Sequence, residues 1–159
     1  MSLKSLYYNS LTIYRVLAEQ GTKLLVIDCI KRTMPVWMPR EKMSEWQKIE
    51  EQTLNEKTGI CPVTEEALSK TALASAHKRY SIIAPVVAVV ADKKRRSEMI
   101  AFVVENNKIS KQTLRKYLCL YLAFQTISIL APTKLKMEMK LSIILDTIWT
   151  KDFRLPRIP

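Results

Sequence analysis

The segment between Asp92 and Phe124 constrains the fold more than any other part of this chain. Apolar residues repeat at helical spacing on both sides of a short polar stretch, which predicts two helices joined by a turn. In the second helix, apolar and aromatic residues share one face that would turn toward a core, namely Leu114, Tyr117, Leu118 and Tyr121. Polar and basic residues take the opposite face, namely Lys111, Gln112, Arg115 and Lys116. The segment therefore predicts a helix-turn-helix with a basic, amide-bearing outer surface.

Local signals around the turn agree with this interpretation. Asp92 is suited to cap the first helix, and Asn106 and Asn107 are suited to end it, because asparagine tolerates the left-handed conformation. Ile109 would plug the turn and Ser110 would cap the second helix. The inward residues of the first helix would be Met99, Ile100, Val103 and Val104. Agreement among independent local signals strengthens the prediction more than any one of them.

A basic face on the second helix of such a motif is typical of DNA reading in the major groove. Gln112 could address an adenine edge and Arg115 a guanine edge, whereas Lys111 and Lys116 suit phosphate. The basic run at 93–96 opposes the dipole of its helix, a cost that phosphate contacts would offset, although a solvated helix face is the alternative. The candidate DNA-binding residues are Lys93, Lys94, Arg95, Arg96, Ser110, Lys111, Gln112, Thr113, Arg115 and Lys116.

The net charge of +11 over 159 residues favours polyanionic partners, which are nucleic acid or an anionic membrane surface. Two apolar stretches, 82–91 and 117–131, are shorter than the roughly 18–20 residues that a transmembrane helix needs. No signal peptide is recognisable either, and we expect duplex DNA rather than a membrane as the partner.

Three widely spaced cysteines, Cys29, Cys61 and Cys119, and a single histidine, His77, argue against a zinc site or a disulfide framework. We interpret the cysteines as reduced thiols of a cytoplasmic protein, and we expect no cofactor or metal.

The remaining sequence predicts an α+β fold. Three β-rich stretches, 12–17, 23–30 and 34–40, predict a small meander or barrel-like module over residues 1–42. Residues 43–63 would form a connector with a short amphipathic helix, and residues 64–132 the helix-turn-helix module. Within that module, Thr64 would cap a helix running to about Tyr80, and a second stretch would be bent or restarted at Pro85. Residues 133–159 would be a divergent C-terminal tail.

Several of these stretches resemble one known family. The segments TIYRVL, LLVIDCIKRTMPVW, KRYSIIAPVV, RSEMIAFVVENNKISKQTLRKYLCLYL and ILAP, between Leu11 and Pro132, resemble the N-terminal region of TnsB-type transposases, in the Mu-like branch of the DDE transposase and integrase superfamily. The resemblance implies that the helix-turn-helix over 96–121 binds repeated sites at transposon ends. It also implies a prokaryotic, nucleoid-associated protein whose partners include duplex DNA and full-length transposase or other transposition proteins.

The sequence departs from that family after Pro132. Family members continue into a catalytic domain with three metal-binding carboxylates. Here Asp146 and Asp152 are the only aspartates after Pro132, and the sequence stops at Pro159. We therefore expect a truncated or frameshifted product that binds DNA without catalysis. Two alternatives stay open: a helix-turn-helix transcription regulator on an operator, and a membrane-surface or helix-partner protein that relies on the basic charge and the apolar stretches.

Overall fold

The structure, a computed structural model, describes residues 3–132. It has an α+β fold, as predicted: an antiparallel sheet is followed by four α-helices. The strands are β1 Leu6–Tyr8, β2 Ile13–Gln20, β3 Lys23–Asp28, β4 Val36–Pro39 and β5 Gln47–Ile49. The helices are α1 Glu51–Thr58, α2 Lys70–Ala88, α3 Lys93–Asn107 and α4 Lys111–Phe124. Short 3-10 turns occupy Arg40–Met43, Glu65–Ala67 and Ile127–Leu130. The predicted tail at 133–159 lies outside the described residues.

The five strands form one sheet in the order β4-β3-β2-β1-β5. The first four follow one another as an antiparallel meander, and the sequence predicted the last three of these, β2 to β4. The tightest connection joins Gln20 to Lys23, which are paired across β2 and β3, through only Gly21 and Thr22. Gly21 has a positive φ of 58°, a conformation that a glycine adopts without steric cost.

Strand alternation gives this sheet two apolar faces. Ile13 and Ile27 belong to the main core that the helices cover, whereas Val16 and Val26 belong to a smaller core on the other side. Met43 from the 3-10 turn after β4 covers the smaller core. The rings of Tyr14 and Trp46 extend this cover, because they stack with centroids 4.8 Å apart.

The prediction of one amphipathic helix between Met43 and Leu54 is wrong. The segment divides into the 3-10 turn, β5 and α1. Ile49 of β5 pairs with Leu6 of β1, a strand that was also missed. Long-range pairing of backbone groups thus overrides a local apolar spacing that suits a helix. Gly59 ends α1 in the left-handed conformation, with φ of 66°.

The helix that follows the connector also begins later than predicted. Thr64 precedes a 3-10 turn and its side chain makes no capping hydrogen bond. Ser69 caps α2 instead, since its Oγ accepts a hydrogen bond of 3.1 Å from the Ala72 backbone N–H. Pro85 lies inside α2, which continues past it to Ala88 rather than restarting.

A single hydrophobic core spans the three regions that the sequence predicts as separate, 1–42, 43–63 and 64–132. Its buried residues come from the sheet (Ile13, Ile27), from α1 (Leu54) and from α2 to α4. The buried side chain of Arg15 reinforces this union. Its guanidinium donates to the Ala123 carbonyl at the end of α4 at 2.7 Å and forms a two-pronged ion pair with Glu51 of α1 at 2.6 and 2.8 Å. The sheet therefore carries α4 in a set position, although the division into domains stays a prediction.

Candidate nucleic-acid interface

Three helices build the candidate site: α2 lies behind, and α3 and α4 form a helix-turn-helix in front. The connection between α3 and α4 is Lys108 to Ser110, three residues long, as such motifs require. Ser110 caps α4 as predicted, because its Oγ accepts from the Thr113 backbone N–H at 3.0 Å. Asp92 caps α3 as predicted, accepting from Lys94 and Arg95 N–H groups at 3.0 and 3.1 Å.

The end of α3 differs by one residue from the prediction. Asn106 and Asn107 are still helical, and Lys108 adopts the left-handed conformation with φ of 51°. Asn107 instead turns back on its helix, donating from Nδ2 to the Val103 carbonyl at 2.9 Å. Ile109 is half-buried against the core, so it fills the turn as expected. The turn therefore carries an additional positive charge, that of Lys108.

The two faces of α4 divide as the sequence predicted. Leu114 and Leu118 are fully buried, and Tyr117 and Tyr121 are half-buried. Two aromatic contacts fix the rear of the helix against α2: Arg79 lies 4.8 Å from the centre of the Tyr117 ring, and the Tyr80 and Tyr121 rings are 5.0 Å apart. A rigid rear face leaves the outer side of α4 in a defined orientation.

On the outer side, Lys111, Gln112, Arg115 and Lys116 are all exposed. Within residues 3–132 none of these four side chains makes a hydrogen bond or an ion pair. At about 100° per residue, they occupy an arc of about 140°, with Arg115 and Gln112 in the middle and the two lysines at its margins. The arrangement places a fork-shaped guanidinium and an amide between two flanking ammonium groups.

Only the first half of α4 is available in this way. Cys119 lies on the same stripe, one turn beyond Arg115, and it is buried. Its Sγ is 3.6 Å from Sδ of Met34, in the loop between β3 and β4. Burial raises the pKa of the Cys119 thiol to about 11, a rise that the nearby charges of Arg115 and Arg96 oppose. Lys111, Gln112, Arg115 and Lys116 therefore form an exposed surface about 9 Å long on a helix whose inner face and second half are largely enclosed.

The basic run at the start of α3 divides into exposed and buried members. Lys93, Lys94 and Arg95 are exposed, and the Arg95 side chain remains 74% exposed with Nε 3.7 Å from an oxygen of Asp92. Arg96 differs from the prediction that it contacts DNA, because it is buried and only 8% exposed. Its guanidinium donates to the Val90 carbonyl at 2.7 Å and to the Pro35 carbonyl at 3.4 Å. Arg96 thus ties α3 to the preceding turn and to the loop before β4, and its guanidinium is not available for a DNA contact.

Two further candidates, Ser110 and Thr113, act within the cap. The Ser110 hydroxyl lies 2.8 Å from Oγ1 of Thr113, in addition to accepting the Thr113 N–H. Their hydroxyls are already hydrogen-bonded to the helix they begin, so their side chains orient α4 rather than projecting from it.

The surface formed by these helices is strongly positive. Between Lys93 and Lys116 the chain exposes seven basic and two acidic residues, and α4 itself contains no acidic residue. Among residues 3–132, no group of three His, Cys, Asp or Glu side chains is placed to hold a metal ion. No helix in that part of the chain has both the length and the apolar character to cross a membrane.

Comparison with models of protein families finds no match, and no curated protein matches the sequence.

Proposed function

We propose that the chain binds duplex DNA with sequence preference, through insertion of the first two turns of α4 into the major groove. The observation that carries this proposal is the projecting set Lys111, Gln112, Arg115 and Lys116, exposed and without intramolecular hydrogen bonds or ion pairs among the described residues. The major groove is about 12 Å wide, and helix-turn-helix proteins enter it with the N-terminal residues of the second helix.

Each side chain has a role that follows from its place on the arc. Arg115 and Gln112, in the middle, face base edges, where a guanidinium pairs with guanine O6 and N7 and an amide with adenine N6 and N7. Lys111 and Lys116, at the margins, reach the phosphates that border the groove. Lys93, Lys94 and Arg95 at the start of α3 supply further phosphate contacts, because the first helix of the motif crosses the backbone.

The resemblance to TnsB-type transposases supports transposon ends as the natural sites, with other transposition proteins as partners and the nucleoid as the location. The second candidate, a transcription regulator, uses the same helix on an operator. Site symmetry separates the two candidates, since regulators that dimerise bind palindromes, whereas transposon ends present repeats in direct orientation.

The test is selection of preferred duplexes from a random library at near-physiological salt. An enriched motif supports sequence-specific binding, and its symmetry assigns the class of site. If no motif is enriched, and the affinity depends on the salt concentration but not on the DNA sequence, the proposal is contradicted. Liposome binding that persists when competing DNA is added would favour the membrane surface instead.

Substitutions then separate base contacts from bulk charge. Arg115→Ala and Gln112→Ala should relax the sequence preference, each by about 1–3 kcal/mol of discrimination at one position. Lys94→Ala should weaken binding to every duplex and lower the salt dependence by about one counterion. If all three variants behave alike, the groove assignment is wrong even where DNA binding is real.

A further inference from the structure

The loop between β3 and β4, residues 29–35, runs alongside the helix-turn-helix and is held there at three points. Cys29 Sγ lies 3.8 Å from the carbonyl of Ala123, near the end of α4. Met34 touches Cys119 in the middle of α4, and the Pro35 carbonyl accepts from Arg96 of α3. The loop therefore follows α4 from its C-terminal end toward the projecting residues 111–116.

The tip of this loop is pre-organised by hydrogen bonds from its backbone N–H groups to Asp28. One carboxylate oxygen of Asp28 accepts the N–H groups of Ile30 and Lys31, both at 2.9 Å, and the Asp28 carbonyl accepts the N–H of Arg32 at 2.8 Å. Arg32 adopts the left-handed conformation, with φ of 54°. A loop fixed in this way loses little conformational entropy when it binds a partner.

The tip exposes two positive charges, on Lys31 and Arg32, and the neighbouring Thr33 is also exposed. Within residues 3–132, neither basic side chain makes an ion pair or a side-chain hydrogen bond. Arg32 also borders a cavity of about 140 Å³, and Lys57 lines the same cavity. Lys57 therefore adds a further positive charge next to that of Arg32. The potential on this side of the molecule is therefore attractive to phosphate.

The contact of Met34 with Cys119 sets the place of the loop relative to the exposed residues of α4. Met34 covers the stripe of α4 that, one and two turns earlier, carries Arg115 and Gln112. A duplex that receives residues 111–116 in its major groove continues past the end of this exposed arc. The Met34 contact places the β3–β4 loop at that end of the arc, and Lys31 and Arg32 lie three and two residues before Met34 in the chain.

We propose that Lys31 and Arg32 bind backbone phosphates flanking the groove that α4 enters, making the β3–β4 loop a DNA-contacting element outside the helix-turn-helix. This inference rests on the proposed function of α4. It adds an element from the sheet, which is distant in sequence from the helix-turn-helix. Contacts of this kind set register and affinity and carry no sequence information directly.

The test compares two proteins that lose the same charge. In the loop variant, Lys31→Ala and Arg32→Asn are combined, because asparagine tolerates the left-handed conformation at 32. In the control, Lys42→Ala and Lys48→Ala are combined. Both control lysines are exposed. Lys42 precedes Met43 of the smaller core, and Lys48 precedes Ile49, which packs against the main core on the helical side of the sheet. Thermal unfolding confirms that all proteins are folded, and affinity for a selected duplex is measured between 50 and 200 mM salt.

The loop variant should lose about two released counterions, a change of about 1.8 in the slope of log affinity against log salt. Its affinity should therefore fall about tenfold less than that of the parent over this salt range. Lys31→Arg alone should retain the parental slope, and hydroxyl-radical protection of the deoxyriboses next to the flanking phosphates should disappear only in the loop variant.

Three results separate failure of this inference from failure of the proposed function. If the loop variant and the control change equally while Arg115→Ala loses sequence preference, the loop inference is overturned and the role of α4 stands. If the parent shows no preference among duplexes, both are overturned. A lower slope for the loop variant alone, with an unchanged selected motif, supports the inference.

Discussion

Arg95 and Arg96 are adjacent in sequence, and the structure gives them opposite roles that substitution to alanine should separate. Arg96 is 8% exposed and donates to the Val90 carbonyl at 2.7 Å, whereas the Arg95 side chain is 74% exposed. A hydrogen bond from a charged group contributes about 1.5–3 kcal/mol, and the 3.4 Å contact with the Pro35 carbonyl adds little. With the lost packing of the aliphatic stem, Arg96→Ala should lower the free energy of unfolding by about 2–4 kcal/mol.

For a chain of this size, the loss corresponds to a fall in Tm on the order of 6–12 °C. Arg95→Ala should change stability by less than about 0.5 kcal/mol, because its 3.7 Å contact with Asp92 is exposed. In DNA titrations the order reverses: Arg95→Ala should lower the salt slope by about 0.9, and Arg96→Ala, measured well below its Tm, should leave the slope unchanged. Denaturant unfolding and fluorescence anisotropy provide the two readouts. Equal stability of both variants would refute the assignment, and so would a loss of salt slope confined to Arg96→Ala.

Three further predictions concern caps and thiols. Ser69→Ala should lower the free energy of unfolding by about 1 kcal/mol, because it removes the cap of α2, whereas Thr64→Ala should change it very little. Denaturant titration measures both variants, and equal effects would contradict the observed start of the helix. At pH 8 a thiol reagent should label only the exposed Cys61 in the folded protein and all three cysteines in urea, because Cys29 and Cys119 are buried; mass spectrometry counts the labels. Burial raises the pKa of Cys29 to about 12 and that of Cys119 to about 11, above the ordinary value of 9.0, so the folded state keeps protons that the unfolded state loses. The free energy of unfolding should therefore fall as pH rises from about 9 toward 11, and replacing both buried cysteines with alanine should reduce that dependence.

The helix-turn-helix could be predicted from sequence because its signals are local. The caps at Asp92 and Ser110 and the apolar stripe of α4 each depend on residues within one or two turns. The strands β1 and β5 could not, since each is three residues long and exists through pairing with a distant partner. Arg96 was misassigned for the same reason: nothing within its own helix shows that the Val90 and Pro35 carbonyls enclose it. Sequence alone also does not show that the second half of α4 is covered on this face, because the cover is Met34, which lies 85 residues before Cys119 in the chain.

The role that we propose for Arg115 and Gln112 is to read purine bases from the major groove. In a selected duplex, each purine can be replaced in turn by its 7-deaza analogue, which removes only the N7 acceptor on the major-groove side. We predict that at least one replacement weakens binding by about 1–3 kcal/mol, and that Arg115→Ala or Gln112→Ala no longer responds to that replacement. Indifference of the parent to every replacement would contradict the claim, as would a response that both variants retain in full.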